Sequence, residues 1–263
     1  MSKISTSDNI VTSEIENGIK TISLNIPKKK NPLKPETMVL MLEAIKASAS
    51  DGTKVIVLTG AGGNFSSGAM LDASMMQDFD VTDYLREKVN PVVLALRETP
   101  IPCIAKVEGF CVGLGFSLAM ACDMLICSEN AKFNQIFTRI GLSSDGGGSY
   151  FLARTVGYRK AFELIAMNQD VSAQEALDWG IANHVFPSDE IEEKVNELAT
   201  KLANGPLVAL AQVKSNVRVG ENGTLAEALD NEAINQGKCF KSSDFMEGIN
   251  AFMQKRPSEF KGK

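Results

Sequence analysis

The chain has 263 residues, of which 44% are apolar and 22% charged, and its net charge is −5 at neutral pH. The length suffices for one large α/β domain or for a core with a smaller appendage, and the composition is ordinary for a globular protein. The acidic balance argues against nucleic acid or an anionic membrane as the main partner. Five cysteines without zinc-ligand spacing, no signal-peptide pattern and no long apolar run predict a reduced, soluble, cytoplasmic protein.

The first part of the chain alternates strand and helix patterns. Residues 10–16 and 19–25 are short, β-branched and separated by Asn17-Gly18, which predicts a β-hairpin. Apolar side chains at helical spacing predict a helix over residues 36–49. Runs that are apolar throughout predict buried strands at 54–60, 103–109 and 122–128, with helices at 81–98 and 116–121 between them. This alternation predicts an α/β fold with a largely covered sheet.

Beyond Pro187 the pattern becomes helical. Ile191, Val195 and Leu198 form one apolar stripe, and further helices are predicted over residues 207–219, 225–236 and 243–254. We therefore divide the chain into an α/β core, residues 1–204, and a helical C-terminal part, residues 205–263.

Several common site types do not fit the sequence. His184 is the single histidine, so a histidine-rich metal site is absent and a Ser-His-Asp triad would have to be built around that residue. The stretch GNFSSGAM has the glycine spacing of a phosphate-binding loop, but Ala69 stands where the lysine would be. Neither a triad hydrolase nor a nucleotide-binding protein is indicated.

Two glycine turns follow buried strands. They are SSGAM, residues 66–70, and GLGFSLAMACD, residues 113–123. The second turn leads directly into a helix, so its backbone N–H groups are free and lie at the positive end of the helix dipole. In either turn taken alone, the glycines are explained by the tight backbone turn that they permit. Together they favour an oxyanion hole, in which two amides stabilise an oxygen that becomes negative.

A third glycine-rich stretch, IGLSSDGGGSYF, contains one carboxylate, Asp145. Asp is a preferred helix N-cap, but three glycines in a first turn cost a helix about 1 kcal/mol each relative to Ala. The residues leave two interpretations open: Asp145 caps the following helix, or it has a chemical role.

In chain order, IVLTGAGGNFSSGAMLD, IPCIAKVEGFCVGLGFSLAMACDMLI, IGLSSDGGGSYFLARTVG and SAQEALDWGIANHVF resemble the crotonase (enoyl-CoA hydratase/isomerase) superfamily. The resemblance extends over nearly the whole chain. It implies a crotonase-type spiral of ββα units with a helical C-terminal trimerisation domain, and assembly as a trimer or a dimer of trimers. It also implies acyl-CoA thioester substrates that react through a stabilised enolate. CoA is then part of the substrate, and no separate cofactor or metal is expected.

The resemblance assigns catalytic roles by position. The oxyanion amides fall on Ala69 and on Leu114, the latter at the centre of GLG where GGG is commoner. Leucine preserves this donor provided that its φ need not be positive. The two glutamates of the hydratases are replaced by Ser117 and Phe137, neither of which can act as a general base. Asp145 lies where ring 1,2-epoxyphenylacetyl-CoA isomerases and some 3-enoyl-CoA isomerases keep a single carboxylate.

The resemblance also implies substrate contacts. Lys28, Lys29 and Lys30 would meet the CoA phosphates, although a solvated turn explains them equally well. Phe260 and Lys263 match a region that reaches an adjoining subunit's adenine pocket; the alternative is a frayed end. The other expected substrate-binding positions, besides Ser117 and Phe137, are Ser67, Gly68, Met70, Leu71 and Gly113.

A lone carboxylate favours an acyl-CoA isomerase, because isomerisation needs one group that removes a proton and returns it elsewhere. Apolar surroundings from Phe137 and Phe151 would raise the pKa of Asp145. The nearest matches are the phenylacetate-pathway ring isomerases, followed by the fatty enoyl-CoA isomerases. Aryl-CoA dehalogenases are disfavoured because Trp179 and His184 lie in a later segment, and dihydroxynaphthoyl-CoA synthases because their first glycine turn differs. A hydratase and a non-catalytic acyl-CoA-binding subunit remain alternatives.

Overall fold

A computed structural model describes residues 9–70 and 79–262. Its strands are β1 (Val11–Glu16), β2 (Ile19–Leu24), β3 (Val55–Gly60), β4 (Cys103–Val107), β5 (Phe110–Val112), β6 (Met124–Ser128), β7 (Lys132–Asn134), β8 (Val171–Ser172) and β9 (His184–Phe186). Its α-helices are α1 (Pro35–Ala47), α2 (Val81–Tyr84), α3 (Asn90–Glu98), α4 (Leu114–Met120), α5 (Gly148–Thr155), α6 (Tyr158–Ala166), α7 (Ala173–Asp178), α8 (Ile191–Ala203), α9 (Leu207–Asn222), α10 (Leu225–Phe240) and α11 (Ser243–Gln254).

Two sheets organise the core within these residues. The larger sheet has the strand order β1-β2-β3-β4-β6-β9, with β1 antiparallel to β2 and the other neighbours parallel. The smaller sheet has the order β5-β7-β8. Strand pairs followed by a helix recur as β1-β2-α1, β4-β5-α4 and β6-β7-α5, which confirms the predicted ββα units.

Helices cover both faces of the larger sheet. Every residue of β3 and β4 is buried, so both strands are apolar nearly throughout rather than alternating. Val57 and Ile104 pack on one side with α8, whereas Ile56 and Leu58 face the main core on the other. The predicted hairpin is also confirmed, since Asn17 and Gly18 both adopt the positive φ that a two-residue hairpin turn requires.

Several boundaries and elements differ from the sequence predictions. The helix expected at 116–121 begins at Leu114, and the strand expected at 122–128 begins at Met124. The helix expected over 81–98 contains a π-helical turn, Leu85–Val89, that apolar spacing does not reveal. The strands of the smaller sheet were missed because two or three residues are too few to show an alternation.

The C-terminal helices are tied to the core by a lysine on α9. The Lys214 ammonium donates to the carbonyls of Leu96 and Ile101, at 2.8 and 3.0 Å, and pairs with the Asp123 carboxylate at 2.8 Å. The proposed division between residues 204 and 205 falls between α8 and α9. That the two parts are separate domains stays a prediction. In residues 9–70 and 79–262, no helix is long and apolar enough to cross a membrane.

Candidate active site

The first glycine turn pairs with the segment before α1. The Leu33 amide donates to the Gly68 carbonyl, and the Met70 amide donates to the Leu33 carbonyl, both at 2.8 Å. This pairing uses the groups on either side of Ala69 and leaves the Ala69 amide on the opposite edge of the segment. Ala69 itself is exposed.

The second glycine turn begins α4. Gly113 precedes the helix with φ 56° and ψ −124°, a conformation that favours glycine, and Leu114 is the first helical residue. As the first residue, Leu114 has no intrahelical partner for its amide. Its φ is not positive, which meets the condition for leucine at the centre of GLG.

The two turns touch through their glycines. A Cβ on Gly68 would lie 2.9 Å from the Val112 carbonyl oxygen, and one on Gly115 would lie 2.6 Å from Cβ of Ser66. Only glycine allows backbones to approach so closely. The contact brings Ala69 and Leu114 into neighbouring positions, and within the described part of the chain neither amide donates a hydrogen bond.

Asp145 lies in the loop before α5, beside α4. Its backbone carbonyl accepts hydrogen bonds from the Ser117 hydroxyl at 2.8 Å and from the Gly148 amide at 3.0 Å. Its carboxylate oxygen Oδ1 is fully buried and has no hydrogen-bond partner in the structure as described. This burial raises the pKa of Asp145 to about 6, in the direction expected from the sequence.

Asp145 does not cap α5, so that interpretation of the sequence is wrong. The N-cap is Gly147, with φ 83° and no side-chain hydrogen bond. The glycines instead let the loop pack against α4. A Cβ on Gly146 would lie 2.5 Å from Leu114 Cδ1, and one on Gly148 would lie 2.6 Å from Ser117 Oγ.

The positions matched to the hydratase glutamates lie beside the same loop and turns. Ser117 is 0% exposed and faces the Asp145 loop. Phe137 is buried in a 3₁₀ turn, Ile136–Ile140, with its ring edge 3.7 Å from where a Cβ of Gly113 would be. The Phe151 ring packs in the same way against Gly147. The Asp145 loop thus has one apolar ring, that of Phe151, packed against it, and neither matched position holds a carboxylate.

Tyr84, at the end of α2, was missed by the sequence analysis. Burial, together with the negative charges of Asp145 and Glu36, raises the pKa of Tyr84 to about 12. Its phenol is therefore neutral near pH 7 and lies within electrostatic reach of Asp145. The π-helical turn that follows it is a common feature of functional sites, but apolar spacing gives no signal for such a turn.

The basic turn lies next to the first glycine turn. The Ser67 amide donates to the Lys30 carbonyl at 2.7 Å, and the Ser67 hydroxyl donates to the Lys29 carbonyl at 3.3 Å. Lys28, Lys29 and Lys30 are all exposed, and the Lys30 ammonium lies 3.8 Å from the centre of the Phe110 ring. The structure therefore places positive charge at one edge of the candidate site.

Phe260 lies elsewhere on the chain, against Gly248 of α11. The Lys261 and Gly262 amides donate to the buried carboxylate of Asp244, at 2.7 and 2.9 Å, so the interpretation as a frayed end is wrong up to residue 262. Leu71 and Lys263, the two remaining candidates, lie outside the described residues.

Residues 14–263 match the sequence profile of the enoyl-CoA hydratase/isomerase family. The chain belongs to the enoyl-CoA hydratase/isomerase family. It is 36% identical to a probable enoyl-CoA hydratase of Rhodobacter capsulatus, over 95% of this chain and 97% of that protein. It is 32% identical to 1,2-epoxyphenylacetyl-CoA isomerase of Escherichia coli, over 96% of this chain and 98% of that protein.

Solved structures show the same fold in other members of the family. A putative enoyl-CoA hydratase from Streptomyces coelicolor superimposes with a TM-score of 0.92, at 31% identity and over 100% of both chains. The crotonase fold expected from the sequence is thereby confirmed. Names of both hydratases and isomerases occur among the relatives, so the choice between these reactions depends on the site itself. In the residues described, no group of three or more His, Cys, Asp or Glu side chains could hold a metal ion.

Proposed function

We propose that this protein is an acyl-CoA isomerase in which Asp145 moves a proton between two carbons of the acyl chain. The observation that carries this proposal is the buried carboxylate oxygen of Asp145, which has no hydrogen-bond partner among the residues that the structure describes. The loop that carries Asp145 packs against Leu114, which belongs to the second of two touching glycine turns, and the amides of Ala69 and Leu114 make no hydrogen bond in the described structure.

In the proposed reaction, the thioester oxygen accepts hydrogen bonds from the amides of Ala69 and Leu114. The Asp145 carboxylate removes a proton from C2 of a 3-enoyl thioester, and the electron pair delocalises into the thioester to form an enolate. The Asp145 carboxylic acid then returns the same proton to C4, which gives the 2-enoyl thioester. No atom is gained or lost, and one carboxyl group performs both transfers. Each amide donor stabilises such an oxyanion by about 3–4 kcal/mol.

The pKa of Asp145 suits both steps. At about 6, the group is mostly ionised at neutral pH and can accept a proton, while its conjugate acid remains strong enough to return it. An ordinary carboxylate would be a weaker base. Burial of the Asp145 carboxylate, which raises its pKa, therefore contributes to the proposed function.

Isomerisation is favoured over hydration by the residues at the two positions matched to the hydratase glutamates. Hydration gains from a second carboxylate that activates water, and the two matched positions hold Ser117 and Phe137. The similarity to 1,2-epoxyphenylacetyl-CoA isomerase supports ring-epoxide acyl-CoA as one substrate class. The similarity to a probable enoyl-CoA hydratase keeps hydration as the alternative.

We also propose that the exposed lysines 28–30 bind the phosphates of CoA. Their turn is hydrogen-bonded to Ser67, one residue before Gly68. One CoA thioester could therefore place its carbonyl in the oxyanion hole and its phosphates on the lysines. CoA enters as part of the substrate, and no separate cofactor is proposed.

The deciding experiment compares wild type and Asp145→Asn with a 3-enoyl-CoA and with 1,2-epoxyphenylacetyl-CoA. Asn keeps the size of the side chain but cannot remove a proton, so we expect the isomerisation rate to fall by roughly 10²–10⁴-fold. Crotonyl-CoA is offered in parallel, and we expect little hydration by either protein. A wild-type rate in the variant, with acyl-CoA binding intact, would refute the mechanism. Rapid hydration of crotonyl-CoA by the wild type would support the alternative.

A further inference from the structure

We infer that Ser117 is a positioning residue: its hydroxyl holds the backbone of Asp145 so that the carboxylate faces the substrate. This inference rests on the proposed function. It assigns a role to a position from which the hydratase glutamate is missing.

Hydrogen bonds use both the donor and the acceptor capacity of the Ser117 hydroxyl. Its one hydrogen goes to the Asp145 carbonyl at 2.8 Å, which is closer than the 3.4 Å to the Gly113 carbonyl. The Gln135 side-chain amide approaches the same oxygen at 3.4 Å. Ser117 and Gln135 are at most 1% exposed, so water does not compete for these bonds. A buried chain thus runs from Gln135 through Ser117 to Asp145.

Backbone bonds hold the Asp145 loop, while the carboxylate itself is free. Oδ1 of Asp145 has no partner among the described residues, and the next two residues, Gly146 and Gly147, have the conformational freedom of glycine. The Ser117 hydroxyl and the Gly148 amide both donate hydrogen bonds to the Asp145 carbonyl and so hold it in place. Losing one of them would let the carboxylate move, and a displacement of about 1 Å costs roughly 100-fold in rate.

The same contacts limit the size of residue 117. A Cβ on Gly146 would lie 3.1 Å from Ser117 Cβ, and one on Gly148 would lie 2.6 Å from Ser117 Oγ. The loop that carries Asp145 therefore occupies the space into which a longer side chain at 117 would extend. Ser117 both positions the isomerase carboxylate and leaves no room for a hydratase glutamate.

A double-mutant cycle tests this inference. Ser117→Ala, Asp145→Asn and the combined variant are compared for turnover of a 3-enoyl-CoA, with Ser149→Ala on the exposed side of α5 as the control. We expect Ser117→Ala to lower kcat by roughly 10–100-fold with KM changed less than about twofold. Ser117→Cys, which retains a weak donor, should recover part of kcat.

The energetic coupling between the substitutions at positions 117 and 145 distinguishes a positioning role of Ser117 from a general effect on packing. If Ser117 acts through Asp145, Ser117→Ala lowers the rate in the wild-type background and has no further effect in the Asp145→Asn background. An equal loss in both backgrounds, or a wild-type kcat in Ser117→Ala, overturns the inference and leaves the proposed function standing. A wild-type rate in Asp145→Asn refutes the proposed function itself.

Discussion

Burial of the Asp145 carboxylate has an energetic cost that no hydrogen bond from the described residues offsets. A carboxylate that loses water without gaining donors is less stable in its charged form, and this is why its pKa rises from 3.8 to about 6. The backbone of the residue is held by hydrogen bonds, whereas one oxygen of its carboxylate is buried and has no hydrogen-bond partner within residues 9–70 and 79–262. A fixed backbone with an unbonded carboxylate oxygen is expected of a group that must receive a proton, because a hydrogen-bond donor already bound to the carboxylate would lower its basicity.

The cost of burying Asp145 predicts how stability depends on pH. The folded-state pKa is higher than the unfolded value, so the folded state has no penalty below about pH 4 and loses stability as pH rises through about 6. At pH 8 the loss amounts to about 3 kcal/mol. Denaturant unfolding should therefore show Asp145→Asn equal to wild type near pH 4 and more stable by up to that amount at pH 8. A difference between the two proteins that does not change with pH would contradict the burial of this carboxylate.

At the scale of elements, the site is formed where two glycine turns, the second of which begins α4, meet the Asp145 loop. The first turn touches the second through Gly68 and Gly115, and the Asp145 loop touches α4 through Gly146 and Gly148. At each contact the glycine leaves no room for a Cβ, because atoms of the neighbouring segment would lie within 3 Å of it. These four glycines thus allow the two turns and the Asp145 loop to pack closely around the start of α4.

Gly115→Ala tests the contact between the two turns. Its Cβ would lie 2.6 Å from Cβ of Ser66, so the turns must separate and the two amides lose their relative placement. We expect kcat to fall by about 100-fold, and overpacking to cost about 1–3 kcal/mol of unfolding free energy. Gly220→Ala is the matched control, since Gly220 is also a helical glycine but no described residue lies within 4 Å of its Cβ position. It should leave activity unchanged and add about 0.5–1 kcal/mol. Wild-type activity in Gly115→Ala would show that the turns are not required to touch.

The sequence predicted those elements that depend on patterns among neighbouring residues, such as a turn dipeptide or a periodic apolar stripe. The turn at Asn17-Gly18, the all-apolar β3 and the stripe of α8 were each read from neighbouring residues. The role of the DGGG stretch was less accessible, because Asp is also a good N-cap and only tertiary packing shows that α5 begins without it. Tyr84 was missed for the same reason. Its proximity to Asp145 depends on how α2 packs against the core, and no spacing along the chain records that.

The whole molecule presents apolar side chains on its C-terminal helices. Phe252 is 83% exposed and Leu225 76%, and the set continues with Val213, Val217, Leu229, Ile234, Phe240, Met246 and Met253. An apolar surface of this extent on a monomer marks an interaction site. We propose that it is covered by further copies of this chain, as the trimer or dimer of trimers implied by the resemblance.

Phe252→Glu is the variant that tests this assembly. A buried charge at a subunit contact is strongly unfavourable, so we expect the variant to shift from an oligomer towards the mass of one chain in sedimentation equilibrium. Ser13→Glu, on the exposed edge of the hairpin, adds the same charge and should leave the mass unchanged. The proposal fails if the wild type sediments as one chain, or if both variants retain the oligomer.

The order of strands in the larger sheet also determines how the chain reaches its fold. Ile126 pairs with His184, so β6 can complete its pairing only with β9, a strand that lies far along the chain. The parallel strands between β2 and β9 are likewise each joined by a long crossover connection. Closing such loops costs entropy before any hydrogen bond is gained, which makes folding slow. Until β9 arrives, the edge of β6 is open to strands of other molecules. Refolding therefore competes with aggregation, and its yield should increase as the protein is diluted.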